Sequence, residues 1–589
     1  MTDPVKLFPR PTLSARPLAW LRSRFRASEI WFIGLAICVG AAAGLLTVFQ
    51  STLAHSLQSL LFGFNEVDRL SALPVVPRPA LIWLPIGGML LGGFIWALGR
   101  WRPRGLIDVV EANALYGGRL SVRDSLIVCV QTLMSNGFGA SVGLEAAYAQ
   151  AGGAAASWLG QRLKLRRQDL RTLVGAGAGA AIGAAFGAPL TGAFYAFEIV
   201  IGSYAPSMIA PVAAAALASV LTARALGSAP YSIDIAVVSP PEAIAYLLYG
   251  GLGAVCAVFG IALMQLVGWT DRAVRKVSPP VWLRPTLGGC LLAGLAYITP
   301  QTLSSGHGAL HLDLAAGLGL AALTGLLLLK TGASIVSLGF GFRGGLFFAS
   351  LFLGSLLGQL YASLVSLMGL PIVLQPENAA LVGMGALGVA VVGGPLTMSF
   401  LVLETTRDFG IAAATLAASL IASTIVRERF GYSFSTWRLH LRGETIRSAR
   451  DVGWVRTLTA GRMMRPDTAT ISETVTIAEF RRRFPLGSTT RVVLIDEASR
   501  YAGIVQTPAA YVEGRDADAS VSDLATAKEV TLSPDANIEE VMRLFDRTET
   551  EDIAVVDGDH HVLGLLAEAY VSRRYSKELE KVQQGLFGD

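Results

Sequence analysis

A lone glutamate, Glu145, lies in an apolar stretch directly after the glycine-rich start of the segment Gly139–Ala147. This pattern predicts a non-helical approach that opens into a helix, with Glu145 at the helix start. The first turn of a helix exposes unpaired N–H groups and a partial positive charge, so within a membrane it can hold an anion without a Lys or Arg. The carboxylate of Glu145 can occupy that site itself and leave it once protonated. The alternative is a glutamate buried for structure, although an intramembrane acid is a functional candidate.

A second segment of the same kind occurs at Gly341–Ala349. Gly344 and Gly345 precede a long apolar helix, and the backbone N–H groups of Leu346 and Phe347 would point into the membrane interior. Two helix starts would then converge on one anion. The alternative for these glycines is close helix packing alone.

The elements that carry the two segments belong to an internal repeat. Gly187-Ala-Pro-Leu-Thr-Gly-Ala-Phe-Tyr-Ala-Phe-Glu198 is matched by Gly393-Gly-Pro-Leu-Thr-Met-Ser-Phe-Leu-Val-Leu-Glu404, and Leu173-Val-Gly by Leu381-Val-Gly. Because the two site segments stand in the same order upstream, the chain contains two copies of one unit. This organisation is typical of transporters with a site at the interface of their repeats.

Composition places these repeats in a membrane. The 589 residues are 52% hydrophobic and 15% charged, with a mean hydropathy of +0.53 and 64 glycines, whereas soluble proteins carry about a quarter charged residues. The apolar stretches between Trp31 and about Val426 differ in length, which indicates interrupted helices that end inside the bilayer. The N-terminal segment shows no signal-peptide pattern. Basic residues flank the membrane region, before its first apolar stretch and after its last, and they predict that both termini are cytoplasmic.

The polar tail contains a second repeat. Thr470, Ser472, Ile477, Glu479, Arg482 and Phe484 recur as Thr531, Ser533, Ile538, Glu540, Arg543 and Phe545. Each copy predicts a strand, a helix (477–484; 538–545) and a strand pair: Val492–Ile495 with Ala502–Val505, and Ile553–Val556 with Val562–Leu566. Each unit is too small to be stable alone, so the two should pack together.

The fold class that follows is an all-α polytopic membrane protein of two inverted repeats with broken helices, plus a cytoplasmic α/β domain. We expect an N-terminal segment at 1–28, a transport domain at 29–443 and a regulatory domain at 444–589 with modules at about 457–513 and 518–575. The four cysteines form no CxxC or Cys/His group, so they predict neither a disulfide framework nor a metal site. A net charge of +5 fits basic cytoplasmic flanks and does not imply a nucleic-acid partner.

The motifs resemble those of the CLC family of chloride channels and proton-coupled chloride exchangers, along nearly the whole chain. Gly-Leu-Glu-Ala-Ala (143–147) is similar to the family's GREGP signature, and Gly345-Leu-Phe-Phe-Ala349 to its GxFxP signature. The segments 185–198 and 383–404 are further matches. The tail at 457–575 resembles a tandem CBS pair.

This resemblance implies a homodimer with a separate pore in each subunit, embedded in lipid. It also implies that Glu145 is the external gate and proton acceptor. The anion-binding residues would then be Gly143, Leu144, Glu145, Ala146, Gly345, Leu346, Phe347, Arg104 and Ser435.

Several positions depart from the family pattern. The segment 103–107 replaces the family's coordinating serine by Arg104, and the coordinating tyrosine falls on Ser435 unless Tyr432 substitutes. Arg104 and Arg343 either add positive charge to the pathway or are paired or solvated. Ile199 stands where exchangers often carry a second, internal glutamate, and an apolar residue cannot relay a proton. Neither tail module carries the Asp of adenosine-binding CBS modules, so adenine-nucleotide binding and a purely structural or dimerising tail both stay open.

The predicted function is transmembrane transport of chloride or a similar small inorganic anion through a pore gated by Glu145, with proton-coupled exchange slightly favoured over a passive gated channel. No cofactor is expected. A CBS-regulated divalent-cation transporter would need clustered intramembrane acids, and these are isolated here. A membrane enzyme would need a nucleophile–base pair or metal-ligand motif in the spans, and none occurs in the sequence. The predicted location is a bacterial inner membrane.

Overall fold

The computed structural model describes residues 28–65, 68–102, 105–229, 231, 233, 244–369, 374–441, 458–548 and 550–574. The chain divides into two compact units, Met1–Asp451 and Val452–Asp589. The first is helical and the second mixes helices and strands. Each unit is described by itself below.

The helices of the first unit vary widely in length, from single short turns to elements long enough to cross a bilayer. Their bounds in chain order are α1 Glu29–Phe62, α2 Trp83–Trp101, α3 Val109–Leu115, α4 Val122–Gly137, α5 Glu145–Arg162, α6 Arg167–Phe186, α7 Pro189–Tyr195, α8 Pro206–Ala225, α9 Ala245–Val277, α10 Leu283–Ile298, α11 His307–Ala316, α12 Leu320–Gly339, α13 Phe347–Leu367, α14 Pro376–Val392, α15 Pro395–Thr406, α16 Phe409–Arg429 and α17 Phe434–His440. Short 3₁₀ turns occur at Leu70–Ala72, Arg78–Ile82 and Pro300–Thr302, and a π-helical turn at Ala196–Ile201 follows α7.

Seven helical segments among the described residues are long and apolar enough to span a membrane. The shorter apolar helices lie between them, as expected for broken helices that end within the bilayer. One of the seven, α13, is buried along most of its length inside the protein. The protein therefore surrounds α13 with other helices rather than with lipid.

The repeat appears in the packing of equivalent helices. In the first half α5 packs on α6, and in the second half α13 packs on α14. At each crossing two glycines face one another, Gly152 with Gly177 and Gly354 with Gly383, so closely that a Cβ on any of them would overlap the opposing carbonyl oxygen. Small residues permit this approach, and close backbone packing stabilises helix pairs where lipid offers no hydrophobic driving force.

Two glutamates join the halves reciprocally. The carboxylate of Glu198 accepts hydrogen bonds from the backbone N–H groups of Leu396 and Thr397 at 3.1 and 2.8 Å. The carboxylate of Glu404 accepts them from Leu190 and Thr191, both at 2.8 Å. Each glutamate therefore caps the helix that begins at the Pro-Leu-Thr motif of the other repeat. This reciprocity is what a two-fold relation between the repeats requires.

The second unit contains two small three-stranded sheets. Their elements are α18 Ala460–Met463, β1 Thr470–Ser472, α19 Ile477–Arg483, β2 Arg491–Ile495, β3 Tyr501–Gln506, β4 Thr531–Leu532, α20 Ile538–Thr548, β5 Asp552–Val556 and β6 Val562–Ala567. In each sheet the middle strand pairs parallel with the first strand and antiparallel with the third. The two modules have the same topology, as the tail repeat predicts.

The two modules contact each other through backbone and charged groups. Arg500 and His561 form an isolated antiparallel bridge, and the guanidinium of Arg491 forms an ion pair with Asp552, which is 5% exposed. Each module also has its own apolar cluster, one around Phe480 and the other around Phe545. The predicted association of two modules is therefore present.

The predicted fold class is confirmed: the membrane unit is helical with interrupted helices, and the tail is a small α/β domain. The predicted tail elements agree with the observed ones to within a few residues at their ends. The domain and module boundaries given above stay predictions. All four cysteines are free thiols.

Candidate functional site

The two predicted helix starts lie side by side. Gly143 N–H donates to the carbonyl oxygen of Gly345 at 3.0 Å, and Gly345 N–H donates to that of Gly143 at 3.3 Å. Each glycine lies two residues before a helix start, that of α5 at Glu145 or that of α13 at Phe347. The starts are also deeply buried, since Glu145 is 3% exposed and Phe347 is 4% exposed.

The glycines make room for the acid. A Cβ on Gly143 would overlap Oε2 of Glu145, so the carboxyl group rests directly against the backbone of Gly143. A Cβ on Gly344 would overlap the side chain of Val142. The Gly-rich approaches are therefore needed both for the paired backbones and for the seat of the carboxyl group.

Glu145 lies between two cavities and lines both of them. Its Oε2 is buried and has no hydrogen-bond partner among the described residues. A buried carboxylate without a full set of donors is costly, so a mobile proton or a change of side-chain position lowers the energy of the site. Glu145 is thus a wall residue shared by the two cavities.

The first cavity has a volume of about 240 Å³ and is lined mainly by polar groups. They come from the second half of α1, the end of α4, the turn at Arg69–Ser71, and the start of α11 with the segment before it, and they include His55, Gln58, Asn136, Ser304 and His307. Most are hydrogen-bond donors, and among the lining residues that the structure describes Glu145 is the only one with a carboxylate. The cavity therefore suits a hydrated anion.

A hydrogen-bond network holds the wall of the first cavity next to Glu145. Gln58 Nε2 donates to Asn136 Oδ1 at 2.9 Å, and Asn136 Nδ2 donates to the carbonyl oxygen of Val142 at 2.8 Å. Both amides also approach the hydroxyl of Ser304, at 3.4 and 3.2 Å. Since Val142 directly precedes Gly143, this network fixes the backbone on which the Glu145 carboxyl group rests.

Behind that wall lies a fully buried lysine. Lys330 on α12 is 0% exposed, and its Nζ donates to the carbonyl oxygens of Thr302, Leu303 and Ser304 at 3.3, 3.3 and 2.8 Å. Ser304 adopts a left-handed backbone with φ of 52°. The ammonium group therefore stabilises a strained turn and brings a positive charge close to the first cavity.

The second cavity, of about 90 Å³, lies on the other side of Glu145. It contains the predicted residues Glu145, Ala146, Gly345, Leu346, Phe347 and Ser435. Leu144 lines the first cavity instead, and Gly143 forms the backbone pair between the two helix starts. Arg104 lies outside the described residues. The structure thus brings together the predicted residues that it describes.

The second cavity also contains groups that the sequence did not assign. Tyr195 from the end of α7 and Arg438 from α17 line it, together with Asp108 and Gln150. An aromatic residue in an apolar helix normally indicates packing, so Tyr195 gave no signal in the sequence. Lys330, which lies behind the wall of the first cavity, did have a signal in the sequence, because it is an isolated cation in an apolar run.

Arg343 lines the second cavity, and its side chain is also hydrogen bonded. Its Nη1 donates to Gln131 Oε1 at 3.3 Å, and its backbone N–H donates to the hydroxyl of Ser135 at 2.9 Å. The sequence left open whether Arg343 adds positive charge to the pathway or is paired or solvated. In the structure its side chain both lines the cavity and has a polar partner. Its guanidinium adds positive charge to the wall of the second cavity.

Glu198 and Ile199 lie in a packing interface. Glu198 caps α15 as described, and its Oε2 also accepts from the Thr397 hydroxyl at 2.6 Å. A Cβ on Gly394 would lie 3.1 Å from Cδ1 of Ile199. Glu198 therefore has a structural role as a helix cap.

Among the described residues, no group of three or more His, Cys, Asp or Glu could hold a metal ion.

Comparison with known families supports the geometric reading. Residues 87–427 match the family described as voltage gated chloride channel, and residues 521–576 match the CBS domain. A relative described as a putative chloride channel protein ClcB-like, from Ralstonia nicotianae, is 30% identical over 67% of this chain and 97% of its own. A protein from Escherichia coli described as a voltage-gated ClC-type chloride channel, ClcB, is 28% identical over 62% of this chain and 86% of its own.

Solved structures show the same fold. A slow cyanobacterial Cl⁻/H⁺ antiporter matches with a TM-score of 0.59 at 21% identity, over 70% of this chain and 97% of its own. A CLC-type fluoride/proton antiporter matches with a TM-score of 0.54 at 21% identity, over 69% of this chain and 97% of its own. A eukaryotic CLC transporter covers 94% of this chain and 98% of its own, with a TM-score of 0.57 at 16% identity.

Proposed function

The chain belongs to the CLC family of voltage-gated chloride channels and antiporters, and from this premise we propose that it exchanges chloride, or a similar small inorganic anion, for protons at Glu145. Members of this family are channels and transporters, so the chain is a multi-pass membrane transport protein and not an enzyme. The observation that carries the proposal is the backbone pair between Gly143 and Gly345, which sets two buried helix starts beside one carboxyl group.

The two cavities provide the two access routes. The first cavity is lined by the second half of α1, the half that does not adjoin the basic N-terminal segment in sequence, and the second by α17, which carries Arg438. Under the positive-inside rule the first cavity opens to the outside and the second to the cytoplasm. We place the protein in a bacterial inner membrane with both termini in the cytoplasm.

The site works by competition between two negative charges. The backbone N–H groups at the starts of α5 and α13 stabilise one anion, either the Glu145 carboxylate or the transported ion. Protonation removes the charge of Glu145, so the side chain leaves the site to the ion. When the proton is released, the carboxylate returns and expels the ion. Anion and proton therefore alternate at the same place.

A passive gated channel is the second candidate, and Ile199 favours it. An apolar side chain at this position cannot carry a proton toward the cytoplasm, and the neighbouring Glu198 is occupied in capping α15. Coupled exchange through Glu145 then needs water in the second cavity as the proton route. The two candidates differ in whether an anion gradient moves protons.

The test uses purified protein in liposomes with an imposed chloride gradient, with anion and proton fluxes recorded together. For an exchanger we expect uphill proton movement in the wild type, and Glu145→Gln should abolish it while anion flux continues. Glu428→Gln, the same change at an exposed position on α16, is the matched control and should behave as the wild type. Proton movement at the wild-type rate in Glu145→Gln would refute the gate assignment, and anion flux without proton movement in the wild type would establish the channel.

We further propose a homodimer with one pore in each subunit and a tail that serves in regulation or assembly. The support is the family membership and the two-module tail. Neither of the Gly-hydrophobic segments in the tail, at 503–509 and 564–570, contains the Asp expected to bind ribose hydroxyls, so adenine nucleotide is the weaker ligand assignment. Mass measurement in detergent tests the dimer, and calorimetric titration with ATP and AMP tests the tail.

A further inference from the structure

The lining of the second cavity contains a tyrosine hydroxyl for which the described residues provide no hydrogen-bond partner. Tyr195, the last residue of α7, is 8% exposed and lines this cavity together with Glu145, Leu346 and Phe347. Its ring centroid lies 6.1 Å from that of Phe347, the first residue of α13. Among the described residues, none accepts a hydrogen bond from Tyr195 Oη. The hydroxyl is therefore available to donate to a ligand in the cavity.

Tyr195 stands on a firmly held element. At the start of α7, Leu190, Thr191 and the Thr191 hydroxyl all donate to the carboxylate of Glu404. Farther along, a Cβ on Gly192 would lie 2.6 Å from the carbonyl oxygen of Gly179 on α6, so the two helices touch through their backbones. A ligand on such an element keeps its position when the gate moves.

The end of the helix is also specialised. Directly after Tyr195 the chain adopts the π-helical turn Ala196–Ile201, which closes with a bond from Gly202 N–H to the carbonyl oxygen of Phe197 at 2.9 Å. A π turn rotates the residues on either side of it relative to a regular helix, and such turns occur often at functional sites. Here the turn lets Tyr195 line the cavity while Glu198 reaches the start of α15.

The other side-chain donors in the cavity are less suited to hold a desolvated ion. Arg343 is hydrogen bonded to Gln131, and the side-chain amide of Gln150 already donates to Ser125. Arg343, Arg438 and Ser435 are only partly buried, so water screens them. A phenolic hydroxyl is neutral, is cheap to bury and donates one strong bond to an anion. It complements the backbone N–H groups, which come from the two helix starts.

We propose that Tyr195 Oη donates a hydrogen bond to the anion bound at the starts of α5 and α13, and that it sets which anion binds there. This proposal rests on the proposed function and deepens it. Chloride concentrates its charge on one atom, whereas nitrate spreads it over three oxygens. A single hydroxyl therefore favours chloride, and its removal should weaken chloride binding more than nitrate binding.

The experiment is calorimetric titration of the purified full-length protein with chloride, bromide and nitrate. Tyr195→Phe removes one oxygen atom and keeps the ring. Since a hydrogen bond to a charged group is lost, we expect the Kd for chloride to rise roughly tenfold or more, with a smaller rise for nitrate. Tyr249→Phe makes the same change at a buried tyrosine on α9 that lines neither cavity, and should bind as the wild type does.

Two results would overturn the assignment. One is a Tyr195→Phe protein that binds all three anions within about twofold of the wild type. The other is a Ser435→Ala protein that loses about tenfold in chloride affinity while Tyr195→Phe does not, because Ser435 would then be the ligand. If the wild type carries no anion flux in liposomes, the proposed function itself fails, so the two failures are distinct.

Discussion

The carboxyl group of Glu145 and the bare backbone of Gly143 form one unit at the residue scale. Glu145 Oε2 rests where a Cβ of residue 143 would be. Gly143 does not have a positive φ, so its backbone conformation does not require glycine. Glycine is needed at this position because a side chain would take the space of the carboxyl group. A side chain at position 143 can therefore fill the space of the Glu145 carboxyl group without changing the backbone conformation of the segment before α5.

The first prediction fills this seat. Gly143→Ala should push the Glu145 carboxyl group away from the helix starts, because its methyl group would overlap Oε2. We expect anion flux to continue and the number of protons moved per anion to fall, measured in liposomes. Gly294→Ala is the control, since a Cβ there meets no atom within 4 Å. An unchanged ratio of proton to anion flux in Gly143→Ala would contradict the seat.

The second prediction concerns Lys330. Lys330→Met keeps the length of the side chain but leaves three buried carbonyl oxygens, those of residues 302–304, without their donor. We expect the free energy of unfolding to fall by about 1–3 kcal/mol, seen as a lower melting temperature in detergent. Lys276→Met changes an exposed lysine near the end of α9 and should melt as the wild type does. Equal melting of both variants would show that Lys330 does not stabilise the turn.

At the scale of elements, the reciprocal caps of Glu198 and Glu404 explain how two short helices keep their starts in place. Each carboxylate receives two N–H groups and one hydroxyl from the opposite repeat. A helix start without such acceptors leaves buried donors unsatisfied. These bonds tie α7, which carries Tyr195, to the second half of the protein.

The third prediction separates capping from proton transfer. Glu404→Ala should lower the free energy of unfolding by about 1–3 kcal/mol, and Glu404→Gln by less, because the amide keeps one acceptor oxygen. Glu198→Gln should behave like Glu404→Gln in stability and should leave the ratio of proton to anion flux unchanged. A Glu198→Gln protein that is as stable as the wild type but loses proton movement would show that Glu198 carries protons.

The fourth prediction belongs to the junction between the two tail modules. Burial raises the pKa of Asp552 to about 6, and the neighbouring Arg491 opposes that rise. Between about pH 4 and pH 6, Asp552 is therefore protonated in the folded state but ionised in the unfolded state. The contribution of Asp552 to tail stability is consequently greatest below about pH 4 and falls as pH rises to about 6, with a slope of less than about 1.4 kcal/mol per pH unit.

Proteolysis of the full-length protein in increasing urea measures this dependence, because the tail is cleaved when it unfolds. Asp552→Asn does not titrate, so its tail should show a flatter pH profile than the wild type between pH 4.5 and 6.5. Asp516→Asn, at an exposed position in the same unit, should retain the wild-type profile. Identical profiles for the wild type and Asp552→Asn would contradict the raised pKa.

At the scale of the whole membrane unit, duplication produces a site that neither half contains alone. One half supplies Glu145 and the start of α5, and the other supplies the start of α13. The glycine pairs at the α5–α6 and α13–α14 crossings hold the two helices in equivalent positions. The proposed anion site therefore depends on the contact between the repeats as much as on either motif.

The sequence by itself determined the membrane unit, its repeat, the two helix starts, Glu145 and the two tail modules. These features depend on local spacing and on composition, which a chain carries whatever its long-range contacts are. The tail elements were also predictable, since alternating strands and an amphipathic helix are local patterns.

Only the tertiary structure decided that Gly143 and Gly345 pair backbone to backbone, that Lys330 bonds to the carbonyl oxygens at 302–304, and that Tyr195 lines the cavity beside Glu145. Each of these contacts joins segments far apart along the chain, and which surfaces meet is set by helix packing rather than by spacing in sequence. A tyrosine in an apolar helix packs in a core or lines a site according to the space left beside it. That space exists only after both repeats have folded against each other.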